Sequence, residues 1–175
     1  MKRTSFSRWP CSIARTADIL GDSWTPLVLR EAVFGSRKFD EFQVELGIAR
    51  NTLTERLRRL VDEGLLEKRP YNDSPRRYEY LLTEKGRDLF GVLAAMSRWG
   101  DRWLSGEDGP PVTLHHDTCG RDTHAEVTCA ICCEPLSATN TSMRMGPGYP
   151  PWLAHRPEIA RRFSRTTRAA DEMPL

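Results

Sequence analysis

The hydrophobic pattern of this 175-residue chain changes its period at Gly64, and this change constrains the fold more than any other feature. Before Gly64, apolar side chains recur every three or four positions, which predicts short helices. After Gly64, two short β-type runs flank strong turn residues, which predicts a hairpin. The expected helices cover residues 12–20, 25–34, 38–46 and 50–63, and the expected strands cover residues 65–69 and 77–82. The fold class is therefore α+β and mainly helical.

A further helix is expected from its cap at Thr83 to about Leu104. Its apolar stripe is longer than one small core can cover, and we interpret it as a dimerisation helix. The alternative is a long helix packed on its own domain. The stripe consists of Leu89, Val92, Leu93, Met96, Trp99 and Trp103.

Charge divides the chain into three parts. Residues 1–105, the first domain, have 19 basic and 15 acidic residues, whereas residues 106–135, the Cys/His segment, have one basic and six acidic residues. Residues 136–175, the tail, have six Arg and three acidic residues. We expect residues 157–171 to form a basic helix or a disordered segment. A basic first domain next to an acidic segment predicts a polyanionic partner for the first domain only.

Several classes of protein are excluded by what the sequence lacks. No apolar run approaches the roughly 20 residues of a membrane span, and no secretory signal follows Met1. We expect a cytoplasmic protein without a membrane partner, in which cysteines are thiols or metal ligands. No nucleophile elbow, phosphate loop or H-E-x-x-H motif indicates an enzyme.

Two short helices, a tight turn and a hairpin follow one another in the order of a winged helix-turn-helix. The helix over residues 50–63 suits the major groove of double-stranded DNA, and we call it the reader helix. The hairpin, which we call the wing, suits the DNA backbone. The alternative, a solvated helix face, does not account for this order of elements. The predicted DNA contacts are Lys38, Arg50, Asn51, Thr52, Thr54, Glu55, Arg58 and Arg59, with Arg76 and Arg77 on the wing.

The chemistry of these side chains suggests a role for several of them. An Asn such as Asn51 can bond an adenine edge, and Arg50 or Arg58 can bond guanine or phosphate. Thr54 suits a phosphate or a thymine methyl group. Glu55 can accept from cytosine or orient Arg58 or Arg59.

Residues 11–103 resemble the HxlR family of bacterial winged-helix regulators. The matching motifs are Cys11-x-Ile13, Gly21-x-x-Trp24, Leu29-Arg30, Gly35-x-x-x-Phe39, Gly47-Ile48, Leu53-Thr54-x-Arg56-Leu57, Gly64-Leu65, Arg69, Tyr78-x-Tyr80-x-Leu82-Thr83-x-x-Gly86 and Trp99. The resemblance implies a homodimer on a palindromic operator, joined through the first and the long last helix. Ser12 and Ala49 depart from the family's usual Pro and Ser, and Ala49 offers no capping hydroxyl.

The Cys/His segment contains two pairs of possible metal ligands with the spacing of zinc knuckles. His116 and Cys119 form one pair, and Cys129 and Cys132 form the other. Together they can hold one tetrahedral zinc ion per chain, in a small zinc-ribbon-like unit. His115 or Cys133 can replace a ligand in this set. The alternatives are metal-free thiols and a reversible disulfide.

Cys11 is a candidate redox-sensing thiol because it lies at the start of the first helix, where the helix dipole favours the thiolate. The alternative is a small buried apolar residue. The sequence thus predicts a DNA-binding transcription regulator, with a winged-helix module for protein–protein contact as the second hypothesis.

Overall fold

The computed structural model describes residues 5–164. The winged domain consists of α1 (Ser12–Leu20), α2 (Thr25–Phe34), α3 (Phe39–Leu46), α4 (Arg50–Asp62), β1 (Leu66–Asp73), β2 (Arg76–Leu82), α5 (Glu84–Asp88) and α6 (Phe90–Trp103). It is followed by β3 (Leu114–His116), β4 (Arg121–Thr123), α7 (Pro151–Ala154) and α8 (Pro157–Ser164). The predicted α+β class, the four opening helices and the hairpin are confirmed.

The core lies between α2, α3, α4 and the start of the wing. Phe42, Leu53 and Leu57 are fully buried, and Leu60 is 1% exposed. The three leucines recur at helical spacing along one face of α4, as the sequence predicts. Their burial against the core turns the opposite face of α4 outward.

A tight turn joins α3 to α4 and sets the angle between them. Gly47 ends α3 with a φ of 58°, a left-handed conformation that glycine adopts without steric cost. The next residue, Ile48, is 2% exposed and anchors the turn in the core. Ala49 precedes α4 without a side-chain cap, as expected from its missing hydroxyl.

The wing is an antiparallel pair of strands fixed to the start of α3. Its register runs from Leu66 opposite Leu82 to Asp73 opposite Arg76. The backbone N–H of Tyr80 donates to the carbonyl of Arg37 at 2.7 Å. The base of the wing is therefore held beside α3, and its tip lies beyond the core.

The expected helix from Thr83 to Leu104 is wrong in one respect, because it is divided at Leu89 into α5 and α6. The Thr83 hydroxyl accepts from the N–H of Gly86 and caps α5. Gly86 is buried against the wing, while Leu89 and Leu93 pack on the core. The short α5 thus packs on the wing, and α6 continues from Leu89 along the core.

The Cys/His segment and the tail contain little regular structure. β3 and β4 pair with His116 opposite Arg121, and an isolated bridge joins Thr128 to Pro135. α7 was not predicted, whereas α8 confirms the start of the expected basic helix; residues 165–171 of that prediction lie outside the described residues. Within residues 5–164, no helix has the length and apolar character needed to cross a membrane.

Candidate nucleic-acid interface

The outward face of the reader helix α4 is polar along its first turns. Asn51, Thr54, Glu55 and Arg58 are exposed, and Thr52 is partly exposed. Because the leucines of the opposite face are fixed in the core, these side chains share one accessible side of the domain. A helix held in this way can enter a major groove with its N-terminal residues leading.

Contacts at the start of α4 order the residues that lead it. The guanidinium of Arg50 lies 4.9 Å from the ring centroid of Phe39, a cation–π contact between α4 and α3. The hydroxyl of Thr54 donates to the Arg50 carbonyl at 2.9 Å. Lys38, at the start of α3, has its Nζ 5.3 Å from the ring centroid of Tyr71 on the wing.

Two ion pairs lie on α4, and the one between Arg58 and Asp62 is exposed on both sides. Arg58 lies 3.3 Å from Asp62, and their side chains are 70% and 61% exposed. Such pairs contribute little to the free energy of folding. The Arg58 side chain can therefore break its contact with Asp62 and bind another anion, such as a DNA phosphate. Glu55 pairs with Arg56 at 3.4 Å. Orientation of Arg58 or Arg59 is one of two roles that the sequence allows for Glu55, and the structure pairs it with neither.

Arg59 departs from the predicted DNA-facing set. Its side chain is partly buried and donates to the backbone carbonyl of Asp18 in α1. Arg59 thus joins the reader helix to α1, and its side chain is used for packing inside the domain.

The wing presents basic side chains stacked on an aromatic ring. Arg76 and Arg77 are exposed at the start of β2. The guanidinium of Arg76 lies 5.5 Å from the ring centroid of Tyr78, and the Nζ of Lys68 lies 4.0 Å from the same centroid. These contacts restrict flexible cations along the wing, an arrangement that suits a phosphate backbone.

Asp22 supports the reader helix and was missed from the sequence. Its carboxylate accepts from the N–H groups of Trp24 and Thr25 and from the Thr25 hydroxyl, and it lies 2.9 Å from Arg56 of α4. It therefore caps α2 and holds α4 in the same contact. Although burial raises it, these hydrogen bonds and the Arg56 charge keep the pKa of the Asp22 carboxyl below its ordinary value.

Glu41 plays a similar part at the start of α3. Its carboxylate accepts from the backbone N–H groups of Arg37 and Lys38 at 2.8 and 2.9 Å. These two hydrogen bonds lower the pKa of the Glu41 carboxyl. A Glu at this helical position is a capping signal in the sequence, and it fixes the loop between α2 and α3.

The predicted dimerisation stripe is divided between two roles. Leu89 and Leu93 pack on the core, whereas Met96, Trp99 and Trp103 are 49%, 59% and 62% exposed. Ile13 of α1 is 65% exposed. Large apolar side chains at this exposure are typical of an interaction surface.

The candidate thiols and metal ligands lie in two places. Cys11 is the exposed N-cap residue of α1. In the Cys/His segment, Nδ1 of His116 lies 3.3 Å from Sγ of Cys119, and backbone N–H groups of Cys132 and Ile131, with the Cys132 thiol, lower the pKa of Cys129. Within residues 5–164, no three His, Cys, Asp or Glu side chains come together as a metal cluster.

The helix-turn-helix, its exposed reader face and the basic wing define a winged-helix DNA-binding protein. The family model for the HxlR-like helix-turn-helix matches residues 19–108, and the chain belongs to this family of transcription regulators.

The likeness extends beyond the winged domain. A protein of Mycobacterium tuberculosis, named an uncharacterized HTH-type transcriptional regulator, is 44% identical over 143 residues, which cover 82% of this chain and 90% of that protein. The crystal structure of PA1607 is similar with a TM-score of 0.73 and 36% identity, over 82% of this chain and 100% of that one. The reduced form of the redox regulator HypR matches with a TM-score of 0.50 and 30% identity, over 54% of this chain and 96% of that one.

Proposed function

We propose that this transcription regulator binds a two-fold symmetric DNA site as a homodimer and has no enzymatic activity. The observation that carries this proposal is the outward face of α4, where Asn51, Thr54 and Arg58 are exposed while the opposite leucines are buried. The helix inserts into the major groove, and Asn51 and Arg58 read base edges. Arg76 and Arg77 neutralise phosphates beside the groove.

The exposed part of the stripe on α6 supports the homodimer. Met96, Trp99 and Trp103 share an apolar face that is about half exposed in the described part of the chain. A second copy that covers this face would pair two reader helices. Their spacing would match successive major grooves, about 34 Å apart.

Binding titrations on specific and random duplexes test the base-reading role. Operators are first located by footprinting the region upstream of the protein's own gene. Asn51→Ala and Arg58→Ala should reduce specific binding about tenfold and random-duplex binding much less. Arg76→Ala and Arg77→Ala should reduce both and lower the slope of affinity against salt.

Arg144→Ala is the matched control, because this exposed arginine lies in the tail. It should leave both affinities unchanged. An equal loss from Asn51→Ala on specific and random DNA would contradict base reading. Binding to neither DNA would favour the protein-contact hypothesis.

Sedimentation at micromolar concentration tests the dimer. Trp99→Asp should shift the wild-type dimer to a monomer, because a charge cannot be buried in an apolar interface without a partner. Val44→Asp is the control, since Val44 is an exposed apolar residue of α3, outside the stripe. A wild-type monomer would overturn the homodimer.

We also propose that Cys11 receives a thiol-directed signal. The support is its exposure at the start of α1 and the likeness to a redox regulator. Operator affinity of wild type and Cys11→Ser should be compared before and after a mild oxidant or a quinone. Identical changes in operator affinity in the two proteins would show that Cys11 is not the sensing thiol. A change that requires Cys129 or Cys133 would place the sensing thiol in the Cys/His segment.

A further inference from the structure

Two turns in the Cys/His segment share a backbone hydrogen bond from the fifth residue to the first, although their sequences differ. The first, the His turn, covers residues 116–120, and the second, the Cys turn, covers residues 129–133. In the His turn, the N–H of Gly120 donates to the carbonyl of His116 at 2.8 Å. In the Cys turn, the N–H of Cys133 donates to the carbonyl of Cys129 at 2.9 Å.

The fifth residue of each turn has a left-handed backbone. Gly120 has a φ of 65° and Cys133 has a φ of 60°. Cys133 is the one residue other than glycine with a positive φ in the described part of the chain. The cysteine thus occupies the position that glycine fills in the first turn, which explains its unusual conformation.

Each turn closes an antiparallel pair of backbone segments. His116 lies opposite Arg121 in the β3–β4 ladder. In the second turn, the N–H of Cys129 donates to the carbonyl of Glu134 at 2.8 Å, beside the bridge between Thr128 and Pro135. Both loops are therefore tips of small hairpins.

In the His turn the first and fourth side chains lie close together. Nδ1 of His116 lies 3.3 Å from Sγ of Cys119. Cys129 and Cys132 occupy the same first and fourth positions of the Cys turn. Each turn therefore carries two possible metal ligands at the same spacing.

The hairpins have no hydrophobic core to hold them. No residue from 106 to 163 is buried. Units this small need a disulfide, a metal or a partner to remain folded. All four cysteines of this segment are free thiols in the structure.

We propose that the two turns are the halves of one structural zinc site, with His116, Cys119, Cys129 and Cys132 as ligands. One nitrogen and three sulfur donors suit tetrahedral Zn²⁺ and leave no open position for catalysis. The structure pairs the donors two by two, and no three of them meet in the described residues. Zinc binding therefore draws the hairpins together and couples metal affinity to the folding of this segment.

Metal analysis of the full-length protein tests the site. Protein purified with a non-chelating phosphine reductant should contain about one zinc per chain. After chelation, one equivalent of Co²⁺ should give the thiolate charge-transfer and d–d absorption of a tetrahedral site. Freshly purified, reduced protein that holds no zinc and shows no such cobalt spectrum would overturn the proposal.

Variants separate the proposed ligands from the neighbouring thiols. Cys119→Ser and Cys129→Ser should lose the bound zinc or bind it at least tenfold more weakly. Cys133→Gly and Cys11→Ser are controls that should keep one zinc per chain, and Cys133→Gly also relieves the left-handed backbone. One zinc per chain in Cys119→Ser, or loss of the bound zinc in Cys133→Gly, would contradict this ligand set.

Two further outcomes would overturn the zinc site or its ligand set. A Cys129–Cys132 disulfide found by mass spectrometry in protein that lacks metal would assign a redox role to the pair. If His116→Ala retains one zinc per chain, His116 is not the fourth ligand, and the neighbouring His115 is the candidate to replace it. Neither result depends on whether the winged domain binds DNA.

Discussion

The winged domain and the segment after it are stabilised in different ways. In the winged domain, side chains from α2, α3, α4 and the start of the wing meet in one core, and Phe42 and Leu29 are fully buried. From residue 106 to residue 163 no side chain is buried, and Ile131 is 92% exposed. Burial of apolar surface accounts for the first region, whereas the second needs a crosslink or a partner.

Polar contacts follow the same division. Asp22 and Arg56 are 34 positions apart, and each side chain is 18% exposed. In contrast, His115 pairs with Asp122 across one short hairpin, where both side chains are more than half exposed. Polar contacts in the winged domain thus fix helices relative to one another, while those in the Cys/His segment are local.

The largest expected effect comes from truncating a core side chain. Phe42→Ala should lower the free energy of unfolding by about 3–5 kcal/mol, because it removes a fully buried ring. Ile131→Ala, the control, should change it by less than about 0.5 kcal/mol. Urea denaturation measures the free energy of unfolding of both variants. Equal losses would show that the two regions do not differ in how much buried apolar side chains stabilise them.

A close backbone contact gives the next effect. A Cβ on Gly86 would lie 2.1 Å from the Leu65 carbonyl oxygen, so Gly86→Ala should destabilise the winged domain by more than about 2 kcal/mol. Gly91→Ala has open space and lies in α6, where alanine favours the helix by up to about 1 kcal/mol. A thermal melt should show opposite shifts, and a lowered melting temperature in both would contradict this account.

Loss of the Asp22 carboxylate should have a smaller effect. Asp22→Ala removes the cap of α2 and leaves Arg56 without that partner, which should cost about 2 kcal/mol at neutral pH. Asp62→Ala, which removes an exposed pair, should cost less than about 1 kcal/mol.

The dependence on pH sharpens this prediction. Because folding lowers the pKa of Asp22, its contribution is complete above the ordinary pKa of about 3.9 and is lost as the pH falls through the folded value. The difference in stability between wild type and Asp22→Ala should therefore narrow below about pH 4. A difference that is constant down to pH 2 would rule out the carboxylate as its source.

The smallest effect is expected from metal removal. If the zinc site holds only the Cys/His segment, chelation should alter hydrogen exchange in residues 114–136 and change the unfolding free energy of the winged domain by less than about 0.5 kcal/mol. Cooperative loss of both regions on chelation would show that they fold as one unit.

Much of the winged domain could be predicted because its signals are local. Leu53, Leu57 and Leu60 mark one face of α4 by spacing alone, and Gly47 marks its turn. The exposed positions Asn51 and Arg58 follow from the same periodicity. The spacing of His116, Cys119, Cys129 and Cys132 also predicted two pairs, although their joint use of a metal stays a proposal.

The sequence by itself determined the order of helices and strands, because hydrophobic period and turn residues act over a few positions. Only the tertiary structure decided that Asp22 holds Arg56, that Arg59 turns back to Asp18, and that the last helix is divided at Leu89. These outcomes depend on which side chains meet across long separations, where burial and hydrogen bonding between elements exceed local preference. The left-handed backbone of Cys133 is a further such outcome. The turn in which Cys133 lies, and not the conformational preference of cysteine, sets its φ.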